Sequence, residues 1–370
     1  MKDEKILEKN KGIKTLVRFE AFILILVVFL AYLFTVFELN EAAKNTFETY
    51  YSEPKGTVDG VYIGASSTYR YFVPGLCYHD TGAAIFNLAT AAQPYTTQKY
   101  LIQEARRTQP GIKMVIIELR NVVKGPKQMN AGEIRKVTDS MQFLSPYRIP
   151  AINDSLAFYE AMGIDMDYTK KNYYLPFLMY HNRWQEDFKK EEWTELQDIA
   201  PYKGFQVDGD TWKTNETPGE YYSTRTEIDE LHMKVLDDLL DYCDSIKDEV
   251  KIVFVFSPIM TSEERCGRIN YTVDHVRDRG YTCWNFNDPQ ERYLQEVDLD
   301  PVEDFYAANH TNMRGAIKYT RYVEKLMVEE FGELPDHRGD AAYDGWQKSY
   351  NDLDEKIKAK GEPLQLTGLD

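Results

Sequence analysis

VDGVYIGASSTYR, residues 58–70, carries the first strand pattern of the α/β region and the candidate polar site that follows it. It begins as an apolar run with β-branched and aromatic residues, which is typical of a buried strand. The run stops at Gly64 and Ala65, where small residues allow a tight turn, and two adjacent hydroxyls follow at Ser66 and Ser67. The stretch therefore predicts a buried strand with a polar site where the strand ends.

Strand-like and helix-like segments alternate along most of the chain. Further buried strands are predicted for AAIFNLAT (83–90), KMVIIELRN (113–121), KIVFVFSPI (251–259) and YTCWNF (281–286). Helices are predicted for TTQKYLIQEARRTQ (96–109), TEIDELHMKVLDDLLDYCDSI (226–246), INYTVDHVRDRG (269–280) and NMRGAIKYTRYVEKLMVEEF (312–331). Apolar strands that alternate with helices imply a mainly parallel sheet covered on both faces. We expect an α/β protein, a three-layer α/β/α sandwich.

The same patterns set the expected domain limits. Residues 40–57 form a short polar stalk, and residues 58–331 form the α/β domain. Residues 122–225, rich in Tyr, Trp, Asn and charge, interrupt the domain as an insertion or cap, because the strand pattern resumes after them. Residues 332–370 form a polar C-terminal tail, although Trp346 and Tyr350 offer rings that can pack back onto the domain.

One apolar segment precedes the stalk. Residues 21–37, AFILILVVFLAYLFTVF, carry no charge, and with their flanks (19–39) they approach the ~20 residues that span a bilayer. The six basic residues in residues 1–18 predict a cytoplasmic N-terminus and an external domain. A cleaved signal peptide is the alternative, but the apolar run exceeds the usual ~7–15 residues of such a peptide and no A-x-A site follows it. We favour an uncleaved transmembrane anchor.

Composition excludes some partners. The 370 residues carry a formal charge of −16, and no basic stripe with interleaved aromatic residues offsets it, so nucleic acid is not an expected partner. The four cysteines show no metal-binding spacing, and no cofactor is predicted. In an oxidising exterior, Cys266 and Cys283 are one candidate disulfide pair.

Ser66 and His310 are the candidate reactive pair. In open α/β sheets, ligands bind beyond the carboxyl ends of the strands, which is where Ser66 is predicted to lie. His310 is in DFYAANHTNMRGAIKYT (304–320), a polar loop before the last helix of the domain, and can meet Ser66 at the same edge. The alternative for Ser66 is a helix N-cap, and for His310 a surface loop histidine.

These residues resemble the SGNH hydrolase superfamily, the GDSL-like esterases, and in particular its membrane-anchored bacterial surface members. The matching blocks are GASS (64–67), IFNLATAAQPYT (85–96), VIIELRN (115–121) and residues 304–320, so the likeness covers roughly residues 58–124 and 250–330. It implies a flavodoxin-like sandwich with Ser66 as nucleophile and His310 as base. Ser67 then becomes a helix cap, and Asn312 with Gly315 forms the turn into the following helix.

The sequence departs from the family pattern at the triad acid. The acid is expected three residues before the histidine, where this chain has Ala307. Three alternatives follow: Asp304 holds the imidazole, a backbone carbonyl orients it, or the triad has been lost. The resemblance also places the oxyanion donors at the Ala92 N–H, where the family has Gly, and at Asn121, with Arg120 as a charged substitute.

The resemblance implies a serine acyl-ester hydrolase or acyltransferase that acts on O-acyl groups of cell-envelope polysaccharide or teichoic acid. Some such proteins work beside a membrane-bound O-acyltransferase, so transfer is as plausible as hydrolysis. The rival expectation, which Ala307 keeps open, is a catalytically weak carbohydrate-binding or assembly protein that retains the fold.

Overall fold

The computed structural model describes residues 2–37, 42–166, 168–180, 202–206 and 216–359. The chain divides into two units. One contains the described residues of Met1–Asn40 and Tyr168–Gln197, and the other contains those of Glu41–Asp167 and Asp198–Asp370. The strands and every candidate site residue belong to the second unit.

The helices and strands are numbered in chain order. The α-helices are α1 (Lys2–Phe37), α2 (Ala42–Ser52), α3 (Ser66–Tyr69), α4 (Pro74–Thr81), α5 (Gln98–Thr108), α6 (Glu133–Thr138), α7 (Arg148–Ala161), α8 (Lys170–Tyr174), α9 (Phe177–Tyr180), α10 (Glu230–Ile246), α11 (Glu263–Asp278), α12 (Arg292–Glu296), α13 (Met313–Phe331) and α14 (Asp344–Ala359). The strands are β1 (Gly60–Gly64), β2 (Ile85–Ala89), β3 (Met114–Glu118), β4 (Lys251–Phe256), β5 (Cys283–Asn285), β6 (Phe305–Ala307) and β7 (His310–Thr311). Short 3₁₀ turns occur at Tyr95–Thr97, Pro126–Gln128 and Ala341–Tyr343.

Strands β1 to β5 form one parallel sheet in the order β2-β1-β3-β4-β5. Gly64 at the end of β1 lies opposite Ala89 at the end of β2, and Ile63 lies opposite Ile117 of β3. The carboxyl ends of these strands therefore share one edge of the sheet. The α/β class and the parallel sheet predicted from the sequence are confirmed.

Burial explains why the strands are apolar throughout. Every residue of β1, β2 and β3 is buried, so side chains pointing to either face of the sheet are covered. In one core cluster, Tyr62 of β1 and Ile116 of β3 pack with Tyr319 and Val323 of α13. Each fully buried side chain of this kind contributes about 1.5–3 kcal/mol. The packing holds α13, and with it the loop before α13, against the sheet.

The described part (42–57) of the segment predicted as a stalk, residues 40–57, is part of the packed domain. It contains α2, in which Phe47 and Tyr50 lie one turn apart and are both buried. The Tyr50 ring meets Phe86 of β2 edge to face, with centroids 5.1 Å apart, and its hydroxyl donates to the Ala105 carbonyl at 3.0 Å. The prediction of a polar stalk missed this packing because the two rings occupy only one face of a short helix.

The tail predicted as polar, residues 332–370, contains α14, which is amphipathic. Trp346, Tyr350 and Leu353 are buried, and the Tyr350 ring stacks on His79 of α4 at 3.9 Å. The sequence-based expectation that Trp346 and Tyr350 pack back is confirmed. The domain therefore continues well beyond residue 331.

Helix α1 contains residues 19–37 of the predicted anchor (19–39) and begins earlier. Within it, Lys11–Leu33 is long and apolar enough to cross a membrane and contains no buried residue. A signal sequence near an N-terminus passes the same test, so an anchor and a signal peptide both agree with this helix.

Two further sequence predictions concern the insertion and the cysteines. No strand lies in the described part of residues 122–225, as expected for an interruption of the strand pattern. All four cysteines are buried free thiols, so the candidate disulfide between Cys266 and Cys283 is not formed.

Candidate functional site at the carboxyl edge of the sheet

The candidate site begins where β1 meets β3. A Cβ atom on Gly64 would lie 2.6 Å from the Glu118 Cβ and 2.3 Å from the Thr68 Oγ1, distances that no side chain tolerates. Glycine therefore lets the chain turn sharply at the sheet edge and enter α3 with Ser66 as its first residue. This close approach explains why the chain has small residues at the end of β1.

The two adjacent hydroxyls differ in environment. Ser66 is half-buried, and its hydroxyl makes no hydrogen bond within the described residues, whereas Ser67 is 1% exposed. The N-cap of α3 is Ala65, so neither serine caps this helix, and the predicted capping role of Ser67 is wrong. Ser66 thus presents a hydroxyl that no local structural role occupies.

His310 lies on a short antiparallel hairpin of β6 and β7, in which it pairs directly with Ala307. Thr311 Oγ1 donates to the Arg70 carbonyl at 2.7 Å, and the Arg70 N–H in turn donates to the Ser66 carbonyl at 3.0 Å. The hairpin is therefore tied to the helix that Ser66 begins. Ser66 and His310 share this edge but make no hydrogen bond to each other.

The turn after the hairpin matches its sequence prediction. Asn312 is the N-cap of α13 and accepts a hydrogen bond from the Gly315 N–H at 3.1 Å. A Cβ on Gly315 would lie 2.2 Å from the Asp304 carbonyl oxygen, so glycine is required there. Asn312 and Gly315 fix how the hairpin enters α13.

Within the described residues, the imidazole of His310 has no hydrogen-bond partner. Its ring stacks on Tyr306 with centroids 5.4 Å apart, and its Nε2 atom is buried. Burial, together with the positive charges of Arg120 and Arg70, lowers the pKa of His310 to about 3. The ring is therefore neutral at physiological pH, and no carboxylate of the described part of the chain stabilises its charged form.

Asp304 does not take the position of the triad acid. Its carboxylate is completely buried and accepts from the Asp300 N–H at 2.7 Å and from Lys318 Nζ at 2.8 Å. Its other oxygen is ion-paired with Arg314 Nε at 2.9 Å. These contacts fasten the hairpin to α13. Within the described residues, neither Asp304 nor a backbone carbonyl holds the His310 ring.

The two predicted oxyanion residues come together. Ala92 has a φ of 55°, a left-handed backbone that normally favours glycine, and its N–H makes no hydrogen bond within the described residues. Asn121 Nδ2 donates to the carbonyl of Gln93 at 2.6 Å and thereby anchors the loop that carries Ala92. Asn121 acts on this loop as a positioning residue. The Ser66 N–H, at the first turn of α3, likewise has no acceptor.

Arg120 is buried and holds loops together. It donates to the Asn309 carbonyl at 2.8 Å and to the Pro258 carbonyl and the Tyr71 hydroxyl at 3.3 Å each. The guanidinium thus joins the end of β3 to the loop after β4 and to the hairpin next to His310. Neutral acceptors thus engage both terminal nitrogens of the guanidinium.

Sequence reasoning missed a buried carboxyl beneath this edge. Glu118, the last residue of β3, accepts hydrogen bonds from the N–H groups of Arg120 and Ser257 and from the Ser257 hydroxyl. Ser257 also contacts the Tyr319 hydroxyl at 3.3 Å. Burial raises the pKa of Glu118 to about 6, while the Arg120 charge acts in the opposite direction. The signal in the sequence that could have indicated this contact was a Glu and a Ser, Glu118 and Ser257, directly at the ends of two apolar strands.

The His310 environment predicts an unusual titration. An ordinary histidine becomes protonated below about pH 6.5, but burial next to Arg120 and Arg70 should keep His310 neutral down to at least about pH 5. Because the unfolded chain binds this proton and the native state does not, stability contributed by neutral His310 is present above pH ~6.5 and is lost as the pH falls. NMR titration of the imidazole, assigned with a His310→Gln variant, measures the midpoint. A midpoint between pH 6 and 7 would show that a counter-charge reaches the ring.

We compared the chain with models of protein families, with curated proteins and with solved structures, and none matched. The likeness to the SGNH superfamily therefore stands on the four sequence blocks.

Proposed function

We propose that the protein is a serine acyl-ester hydrolase or acyltransferase of SGNH type. The observation that carries the proposal is the Ser66 hydroxyl, which is half-exposed at the carboxyl edge of a parallel sheet and has no capping or hydrogen-bonding role. A hairpin bearing His310 is hydrogen-bonded to the helix that Ser66 begins. Free N–H groups of Ser66 and Ala92 are available at the same edge. Nucleophile, base and oxyanion donors are the three elements that acyl transfer requires.

In the proposed reaction, Ser66 Oγ attacks the ester carbonyl while His310 accepts the hydroxyl proton. The N–H groups of Ser66 and Ala92 stabilise the oxyanion, and collapse of the intermediate expels the alcohol, which takes the proton from His310. Water, or the hydroxyl of an acceptor, then attacks the acyl-enzyme in the reverse sequence. The hydrogen bond from Ser66 to His310 would form in the substrate complex, where catalytic hydrogen bonds often tighten.

The proposal extends to fold and location. The burial of side chains on both faces of the sheet supports a three-layer α/β/α sandwich. The basic residues before the apolar part of α1 support an N-terminus in the cytoplasm and an external domain anchored by one transmembrane helix. The family likeness then suggests O-acyl groups of cell-envelope polysaccharide or teichoic acid as substrates, with a membrane-bound O-acyltransferase as a possible partner.

One observation favours the rival function. His310 has no carboxylate partner and two arginines oppose its protonation, so the imidazolium that must form during proton transfer is poorly stabilised. A Ser-His pair without its acid loses orders of magnitude in rate. A carbohydrate-binding or assembly protein that retains the fold is the second candidate.

A serine-directed organophosphorus probe separates the two functions. We expect stoichiometric labelling at Ser66, identified by mass spectrometry of the labelled peptide, because the probe needs both a nucleophile and an oxyanion site. A His310→Gln variant should be labelled at least about 10²-fold more slowly, since the base is lost. Absence of labelling, or labelling at Ser67, would move the binding function to the front.

A further inference from the structure

A cavity opens at the same edge of the sheet as the candidate site, between the loops that follow β3 and β4. It has a volume of about 670 Å³, and its polar lining includes Lys127, Gln128, Ser262, Glu264, Arg265 and Arg268. We name it the basic cavity. In a chain with a formal charge of −16, three cationic side chains converging on one cavity are a marked local reversal of sign.

Arg265 is the unusual member of the basic cavity. Within the described residues its guanidinium makes no hydrogen bond and no ion pair, and its Nε atom is buried without a partner. A guanidinium carries five donors, and leaving a shielded one unsatisfied is unfavourable. Burial, assisted by the positive charge of Arg120, lowers the pKa of Arg265 to about 10.

The nearby carboxylates do not neutralise Arg265. Glu264 is paired with Arg268 at 2.7 Å, and Glu133 lies 3.8 Å from Lys124. Glu118 does attract Arg265, but it is held by Arg120 and Ser257 and its pKa is raised to about 6. Burial lowers the pKa of Lys124, and the charges of Arg265 and Arg120 act in the same direction, opposed by Glu133. The basic cavity, taken together with Lys124 and Glu133, therefore has an excess of positive charge.

We propose that Arg265 binds an anionic oxygen group, a phosphate or a carboxylate, of the molecule whose ester reacts at Ser66. The guanidinium fork matches both groups in a bidentate geometry. Arg120 connects the basic cavity to the candidate site, because it donates to the Pro258 carbonyl in the loop after β4, which also lines the cavity at Thr261 and Ser262, and to the Asn309 carbonyl next to His310. The inference that the anion and the reacting ester belong to one molecule rests on the proposed function, whereas the binding of an anion by Arg265 does not.

The test measures binding without turnover. Titration of the full chain in detergent with inorganic phosphate and, separately, with glucuronate, at constant ionic strength, should give saturable binding by at least one anion. Arg265→Gln should weaken that binding by about tenfold or more, Arg265→Lys should retain part of it, and Lys358→Gln, which removes an exposed charge on α14 that does not line the basic cavity, should leave it unchanged. The preferred anion distinguishes a phosphate-bearing from a carboxylate-bearing ligand.

The outcomes separate this proposal from the proposed function. No saturable binding of either anion, or equal binding by Arg265→Gln and the unmodified protein, overturns the anion site. Thermal unfolding of each variant without ligand shows whether it is folded. If Arg265→Gln does not fold, the affinity of Arg265→Lys is compared with that of the unmodified protein instead. Arg265-dependent binding in a protein whose Ser66 resists the serine probe would leave the anion site standing while the esterase proposal fails. With both intact, Arg265→Gln should lower the preference for an anionic over a neutral acetyl ester, in kcat/KM, by about tenfold.

Discussion

Ser66→Ala is expected to abolish turnover of a small acetyl ester, with a loss in kcat of about 10³-fold or more. The Ser66 hydroxyl is the only one of the adjacent pair that is half-exposed and free of a helix cap. Since it makes no hydrogen bond within the described residues, its removal should leave the thermal unfolding midpoint nearly unchanged. Steady-state hydrolysis of a chromogenic acetyl ester and a thermal melt of the same preparation measure the two quantities.

Ser67→Ala is the matched control for this prediction. Ser67 lies one residue further into α3 and is buried, and only its carbonyl is known to accept a hydrogen bond, from the Ser257 hydroxyl at 3.3 Å. The substitution removes the same oxygen atom from the neighbouring position, so most of the turnover should remain. Equal losses of turnover in the two variants would mean that turnover depends on the conformation of the turn and not on the Ser66 hydroxyl.

Ala307→Asp is expected to raise both the pKa of His310 and the rate of ester hydrolysis. Ala307 pairs directly with His310 in the β6–β7 hairpin, and side chains opposed in this way have Cβ atoms about 4.5–5.5 Å apart on the same face. A carboxylate there can accept a hydrogen bond from the ring and offset Arg120 and Arg70. We expect the pKa of His310 to rise by about 1–3, because an opposite charge at this range has that effect. The kcat should increase by about 10- to 100-fold as the imidazolium gains a counter-charge.

The controls for Ala307→Asp isolate the charge. Ala307→Asn has nearly the same shape without the charge and should give neither change. Asp304→Asn should lower the thermal midpoint, because it breaks the buried ion pairs with Lys318 and Arg314, but should not move the His310 titration. If Asp304→Asn instead cut kcat by about 10² or more with the fold intact, Asp304 would be the missing acid after all. If Ala307→Asp raised the pKa without raising kcat, proton transfer would not limit the rate.

Much of the site edge was predictable because it depends on short stretches of chain. Local patterns of apolar and small residues predicted the strand that ends at Gly64 and the strands within residues 83–90 and 113–121. Parallel strands bring their carboxyl ends together, so the position of Ser66 at one edge of the sheet followed as well. The turn from Asn312 to Gly315 and the placing of Ala92 and Asn121 came from the family resemblance. The packing of α2 and α14 was missed or only partly seen, because each carries just one narrow apolar face.

The partners of charged groups were not predictable in the same way. Asp304 stands six residues before His310 and was one of three alternatives for the acid that the family pattern places at Ala307. Its carboxylate pairs with Lys318 and Arg314 on the helix that follows, and within the described residues it makes no hydrogen bond to the His310 ring. Likewise Glu118 and Ser257 are 139 residues apart and meet only because β3 and β4 are neighbours in the sheet.

Local sequence patterns were enough to predict the α/β class, the parallel sheet, an apolar N-terminal helix and a serine at the end of the first strand. They placed His310 in a polar loop before the last helix of the domain and did not predict its hairpin. Periodic burial and turn chemistry are local properties, and they can be read from consecutive residues. Within the described residues, the lack of a counter-charge at His310, the N-cap at Ala65 instead of a serine and the unpaired guanidinium of Arg265 in the basic cavity became evident only in the folded chain. The reason is that the electrostatic energy of a side chain depends on its burial and on charges from distant segments, which no local pattern encodes.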